Sequence, residues 1–210
     1  MIPGLFDKRE ILAPGACVPR DFVGVRDRDL ASALEDITAH APFRHMVTPG
    51  GHEMSVAMTN CGHAGWVTDI RGYRYEPRDP MTNLPWPAIP PSFLQLAWAA
   101  APVAGYQDFV PDACLINRYE PGARLTLHQD RNERDLAAPI VSVSLGLPAR
   151  FLFGGLRRED RPLRIRLEHG DVVVWGGPSR LAFHGVDPLA DGLDRLLGRR
   201  RINLTFRRGL

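Results

Sequence analysis

Beyond Pro111 the chain alternates between short apolar runs and turn residues. Ala113–Tyr119, Arg124–His128, Ile140–Leu147, Arg150–Phe153, Arg164–Leu167, Asp171–Trp175, Leu181–His184 and Arg201–Phe206 are separated by Gly, Pro and Asp. Short strands with turn signals at this spacing predict a sandwich or a barrel. The period before them is different. Leu30, Leu34 and Ile37 recur at i, i+4 and i+7 between Asp27 and His40, with acidic residues near the start. That pattern predicts an amphipathic helix covering one side of a sheet. The apolar stretch Phe93–Tyr106, with Ser92 as its expected N-cap, predicts a buried helix ending near Pro102. Between them, Phe43–Pro91 mixes Gly and Pro with Trp66, Tyr73, Tyr75 and Trp86, which suits short strands and turns better than a packed core. Its end, Pro85–Pro91, reads as a stiff connector. Residues 1 to about 20 carry no period and are expected to form an irregular extension.

Composition narrows the class. A chain of 210 residues is expected to form one domain with a substantial core. The net charge of +2 does not announce a nucleic-acid binder. Basic residues do cluster, at Arg157, Arg158, Arg161, Arg164 and Arg166 and again at Arg199–Arg201, although a solvated face accounts for either cluster equally well. Cys17, Cys61 and Cys114 show no CxxC spacing, so neither zinc nor a disulfide framework is signalled, and reduced thiols fit the cytoplasm. The first twenty residues lack the apolar core of a signal peptide. Phe93–Tyr106 is shorter than the roughly 20 residues a bilayer span needs. A soluble, cytoplasmic protein with no membrane partner is expected.

The sharpest chemistry lies in Leu125-Thr-Leu-His-Gln-Asp130. On a strand, His128 and Asp130 project from the same face. With a second histidine, His184, they have the composition of the two-histidine, one-carboxylate triad of non-haem iron oxygenases. His-x-Asp alone is weak; the run Arg201-Ile-Asn-Leu-Thr-Phe-Arg207 strengthens it. As a strand it places Ile202, Leu204 and Phe206 on a core face, and Arg201, Asn203, Thr205 and Arg207 on the other. Two guanidinium groups and an amide suit a dicarboxylate, because arginine grips carboxylates as a fork. Asn117 and Tyr119 share a face of Leu115–Tyr119 and add further polar groups. Either arginine alone is read more simply as solvating a surface strand or binding phosphate. Beside the triad, an arginine-lined acceptor for 2-oxoglutarate accounts for both.

Longer stretches carry a family resemblance. They are Met46–Gly51, Met54–His63, Pro111–Tyr119, Pro139–Pro148, Glu168–Gly177 and Asn203–Arg207. With the metal motif, these make the chain from about Pro42 to Arg207 resemble the bacterial AlkB family of Fe(II)/2-oxoglutarate-dependent DNA repair dioxygenases. The resemblance implies a mainly β protein with flanking helices, built on a double-stranded β-helix (jelly-roll) core over 110–208. It implies a nucleotide-recognition lid over 43–91, preceded by an extension and helix over 1–42.

The same resemblance implies roles. Fe(II) would be held by His128, Asp130 and His184. For the co-substrate 2-oxoglutarate, Arg201, Tyr119 and Asn203 would hold the C5 carboxylate, and Arg207 and Asn117 would lie at the C1 end, with O2 as third reactant. The reaction would remove N-methyl groups of the 1-methyladenine or 3-methylcytosine kind from DNA, releasing formaldehyde, succinate and CO2. The substrate would be single-stranded DNA or a base flipped from a duplex, with RNA left open, and the enzyme a monomer. Trp66 and the His128 ring would sandwich the base, with Met58 near it. Tyr73 and Thr48 would contact the nucleotide backbone, and Arg158, Asn132 and Glu133 would complete the substrate site.

One position departs from the family pattern. Two residues past the metal aspartate its best-known members carry a second acid, whereas this chain has Asn132, which cannot neutralise a cationic base. Replacing His128 or Asp130 is expected to abolish turnover and leave the fold intact. Two other classes compete: a 2-oxoglutarate oxygenase acting on RNA, protein or a small molecule, and a non-catalytic metal-binding jelly roll. The first predicts no salt-sensitive binding of methylated DNA; the second predicts no decarboxylation.

Overall fold

A computed structural model describes residues 9–210. The largest element is an eight-stranded sheet in the order β1-β2-β12-β9-β14-β7-β4-β3. It comprises β1 (Arg9–Ala13), β2 (Ala16–Pro19), β3 (Arg44–Val47), β4 (Glu53–Gly62), β7 (Ala113–Tyr119), β9 (Ile140–Gly146), β12 (Val172–Trp175) and β14 (Arg201–Arg207). A four-stranded sheet in the order β11-β10-β13-β8 is built from β8 (Leu125–His128), β10 (Ala149–Phe153), β11 (Leu163–Leu167) and β13 (His184–Val186). The hairpin β5 (Gly65–Asp69) and β6 (Gly72–Glu76) forms a two-stranded sheet of its own.

Strand β14 shows why the layers form. Ile202, Leu204 and Phe206 are buried in an outer cluster with Leu30, Leu34 and Ile37 of helix α1 (Asp27–His40) and Phe93, Leu96 and Ala97 of helix α2 (Pro91–Ala100). Burying each of these large apolar side chains is worth about 1.5–3 kcal/mol. On the other face of the large sheet, Leu115, Ile140, Val173 and Trp175 join Phe151, Phe153 and Ile165 of the small sheet in an inner cluster. The polar face of β14 therefore lies between the sheets, and Arg201 is only 1% exposed. A solvated surface strand is excluded.

Several expectations need correction. Residues 9–19 are not irregular: β1 pairs with β2, and β2 joins the edge of the large sheet through Cys17↔Val174 and Ala16↔Trp175. The start of the predicted extension, residues 1–8, lies outside the described residues. Within the segment 43–91, β3 and β4 belong to the large sheet, with β4 paired to β7 from Ala57↔Arg118 to Gly62↔Ala113. Gly62 closes β4 at φ +124°, where a Cβ would lie 2.3 Å from the Asp112 carbonyl oxygen, so only glycine fits. Ser92 does not cap α2. Pro91 takes the first helical position, for which its fixed φ suits it, and the Phe93 and Leu94 amides donate to the Pro90 carbonyl. The strand expected over Leu181–His184 begins only at His184, because 181–183 complete a turn in which the Ala182 amide donates to the Ser179 carbonyl.

The three cysteines are buried and free. Among the described residues no helix is long and apolar enough to cross a membrane.

Candidate active site

The small sheet positions both histidines. β13 and β8 are antiparallel neighbours in which His184 and His128 are directly opposed. The two meet inside one sheet, not across the two layers of a sandwich. Their rings lie 4.4 Å apart. β8 ends at His128, so Asp130 is presented by the irregular chain after it and does not share a strand face with His128.

Second contacts orient each ring. His128 Nδ1 lies 2.8 Å from the Thr126 carbonyl and His184 Nδ1 lies 3.0 Å from the Ala182 carbonyl. A carbonyl only accepts, so each Nδ1 carries the proton and donates, leaving the Nε2 lone pair free. Both Nε2 atoms face the same carboxylate, His128 at 3.8 Å and His184 at 3.6 Å from Asp130. One ligand atom from each of the three residues falls within 4.8 Å of the others. Two imidazoles and a carboxylate in this arrangement are the donor set of the facial triad, so the residues present fit Fe(II). Burial, followed by repulsion from His184, pushes the His128 ring down to about 4. Burial alone would raise Asp130, but Arg207 and then His184 outweigh it and hold the carboxyl well below its usual range.

The arginine face of β14 points into the same space. Arg207 donates to Asp130 Oδ2 from Nη2 at 2.6 Å and from Nε at 3.0 Å. Arg201 donates to the Ser144 hydroxyl at 2.9 Å, while its Nε and Nη1 are buried without a protein partner. Burial pulls Arg201 down to about 10, still charged at neutral pH. Two orphaned guanidinium donors in a closed space call for an anion. Asn203 donates to the Ser142 hydroxyl and the Val143 carbonyl, and Asn117 donates to Asn203 Oδ1 at 3.3 Å. The Asn117 Oδ1 and Trp175 Nε1 atoms are likewise unpaired. These residues fit a dicarboxylate such as 2-oxoglutarate.

The triad and the arginine face of β14 share one cavity of about 530 Å³. Its walls include the triad, Asn117, Tyr119, Arg201, Asn203 and Arg207. Thr48, Met58, Trp66, Tyr73, Asn132 and Arg158 line it too. Trp66 and Tyr73 stack at 5.6 Å between ring centroids, and the Arg158 guanidinium lies 5.1 Å from the Phe183 ring.

Glu133 is placed differently from its expected position at the substrate. It is buried outside the cavity lining, where it accepts from the Tyr75 hydroxyl at 2.7 Å and from Arg180 at 3.2 Å, and lies 3.5 Å from Arg207 Nε. Successive residues after the strand end point opposite ways, Asn132 exposed and Glu133 buried.

Sequence reasoning missed Arg180. It donates to the backbone carbonyls of Asp130 at 2.7 Å and Ala138 at 2.9 Å, and so holds the loop of Asp130 from behind. No periodic signal marks it, because it sits in a Gly- and Pro-rich turn; its one cue is standing four residues before His184.

Known proteins place the same residues in a family. The profile of the 2OG-Fe(II) oxygenase superfamily matches residues 15–207. The chain is 60% identical over 199 residues to the alpha-ketoglutarate-dependent dioxygenase AlkB of Escherichia coli (strain K12), covering 95% of this chain and 92% of that one. It is 48% identical over 182 residues to the AlkB homolog of Caulobacter vibrioides, covering 86% of this chain and 81% of that one. The solved structure of OsALKBH1 superposes with a TM-score of 0.84 at 28% identity, over 95% of this chain and 99% of that chain. Triad, orphaned arginine and sheet topology therefore have one common explanation: the chain belongs to the 2OG-Fe(II) oxygenase superfamily, and within it to the AlkB dioxygenases, which use Fe(II), 2-oxoglutarate and O2.

Proposed function

We propose that this dioxygenase removes methyl groups from N-alkylated bases in DNA, lesions of the 1-methyladenine and 3-methylcytosine kind. The observation that carries this reading is the aromatic pair Trp66 and Tyr73 on the same cavity as the triad, which offers a π surface to a planar base. The name and 60% identity of its Escherichia coli relative support the same reading. Fe(II) with 2-oxoglutarate and O2 supplies the oxidation of the N-methyl carbon, after which formaldehyde, succinate and CO2 leave.

The protein's part is binding and orientation. His128, Asp130 and His184 hold the metal, the two imidazoles through Nε2. Arg201, Tyr119 and Asn203 grip the C5 carboxylate of 2-oxoglutarate, and Arg207 and Asn117 serve its C1 end. Trp66 stacks on the base opposite the His128 ring, and a base made cationic by methylation adds a cation–π attraction of about 0.5–2 kcal/mol. Met58 packs beside the base, Thr48 and Tyr73 hold the nucleotide backbone, and Asn132 offers its amide to the exocyclic group. Arg158 meets a phosphate at the mouth. In this scheme residues 43–91 act as the nucleotide-recognition lid on a catalytic core over 110–208, with 1–42 as extension and helix. The substrate is single-stranded DNA or a base flipped from a duplex, RNA being a second nucleic acid of the same chemistry. The enzyme works as a monomer in the cytoplasm.

The test is release of formaldehyde and succinate from a single-stranded DNA oligomer carrying 1-methyladenine, with His128→Ala as control. Equal release of both, absent in the control, supports the reading. Succinate without formaldehyde moves the substrate to RNA, a protein or a small molecule.

A further inference from the structure

Tyr75 has no part in the chemistry above, yet it is the hydroxyl by which the β5–β6 hairpin reaches the polar centre. On the hairpin Trp66 is directly opposite Tyr75, and Thr68 is opposite Tyr73. Side chains alternate along a strand, so these four residues share one face. Tyr73 and Trp66 line the cavity. Tyr75 instead donates to Glu133 at 2.7 Å. Glu133 lies against Arg207, which donates to the metal-ligand carboxylate of Asp130, and against Arg180, which donates to the Asp130 carbonyl.

The ring of Tyr75 is seated as well. A Cβ on Gly209 would lie 2.7 Å from its Cε1, so the ring lies close against the backbone of the C-terminal strap. That strap is tied down where Asp112 accepts from the Gly209 amide at 2.6 Å and the Leu210 amide at 3.2 Å. Elsewhere the hairpin is anchored along β5, where Val67 is buried in the inner cluster. Asn60 exchanges two hydrogen bonds with the backbone of Trp66, and Trp86 Nε1 donates to the Glu76 carbonyl. These contacts hold β5 and the ends of the hairpin, whereas on β6 it is Tyr75 that reaches the polar centre.

We infer that Tyr75 is a positioning residue: its hydrogen bond to Glu133 latches the hairpin carrying Trp66 and Tyr73 to the carboxylate and loop of Asp130, through Arg207 and Arg180. The aromatic wall and the metal ligand are then held as one unit, so that the distance from a stacked base to the centre is set by this chain of contacts. The inference rests on the reading of the hairpin as the wall for the base.

Tyr75→Phe removes only the hydroxyl and tests the latch in two ways. In the metal-free protein, hydrogen exchange of the Gly65–Glu76 amides should speed up about tenfold, the worth of a hydrogen bond to a charged acceptor. Amides of β7 and β14 should keep their rates. In the loaded enzyme, KM for the 1-methyladenine oligomer should rise about tenfold while KM for 2-oxoglutarate stays within about twofold. Succinate should also exceed formaldehyde severalfold, because the oxidation runs with the base out of place. Gly209→Ala, which pushes the ring off its seat without touching the hydroxyl, should reproduce these changes. Hairpin exchange at the wild-type rate in Tyr75→Phe overturns the latch. Faster exchange with unchanged KM values and an unchanged product ratio overturns the positioning role. If the wild type releases no formaldehyde from the oligomer, the substrate reading fails, and the exchange measurement still decides the latch.

Discussion

Arg207 donates two hydrogen bonds to one oxygen of Asp130, across a separation of 77 residues, and both side chains are buried. The Asp130 carboxylate is thus held in place without any metal, by a cation from the last strand of the large sheet. It also means that the three ligands differ in what their removal does to the fold.

In the metal-free protein, Asp130→Ala strands a buried guanidinium, and the expected loss of stability is about 3–5 kcal/mol. Glu133, 3.5 Å from Arg207 Nε, keeps the loss toward the lower end. His128→Ala removes a half-buried ring whose protein hydrogen bond goes to a backbone carbonyl, and should leave urea unfolding of the metal-free protein within about 1 kcal/mol of wild type. Both should abolish 2-oxoglutarate decarboxylation. The sequence alone suggested that either replacement spares the fold; equal midpoints for the two variants would return to that view.

Arg201 carries two unpaired buried donors. Arg201→Ala should raise KM for 2-oxoglutarate by about thirtyfold or more, the cost of losing one partner of a buried charged pair. Fe(II) affinity, measured without co-substrate, should not change. An unchanged KM would place the dicarboxylate elsewhere.

At the cavity mouth, Asn132 supplies an amide where an acid would attract a cationic base. Asn132→Asp should increase the rate on 1-methyladenine relative to neutral etheno-adenine several-fold, read as the ratio of kcat/KM values. A constant ratio would show that Asn132 does not set this preference.

The His128 ring has a folded pKa of about 4 against 6.5 for an unperturbed histidine. Between these values the unfolded chain binds a proton that the folded chain refuses. The contribution of His128 to stability is therefore complete above about pH 6.5 and is lost as pH falls toward 4. An NMR titration of the His128 ring in the metal-free protein should show no protonation between pH 8 and pH 5. Half-protonation near pH 6.5 would overturn it. The neutral ring also means that metal binding displaces no proton from His128 at neutral pH.

What could be read along the chain was whatever depends on neighbours in sequence. The alternation in Arg201–Arg207 assigned each side chain of β14 to its correct face, because a strand's geometry repeats every two residues. The spacing of Leu30, Leu34 and Ile37 placed α1 from Asp27 to His40. Both depend on local backbone geometry and on burial of one face. The donor types His128, Asp130 and His184 were also legible, and the fold brings one ligand atom of each within 4.8 Å of the others.

Tertiary structure decided which groups meet and which way they turn. His128 and His184 face each other because β13 pairs with β8, a register set by contacts among distant strands. Asp130 left the strand and found Arg207, and Glu133 turned inward to Tyr75 and Arg180 while Asn132 turned out. N-terminal residues without a period became β1 and β2 because the sheet edge at β12 offered unpaired backbone groups to satisfy. Nothing in local propensity encodes such pairings. They follow from the need to give every buried charge and every backbone donor a partner, and those partners lie dozens of residues away.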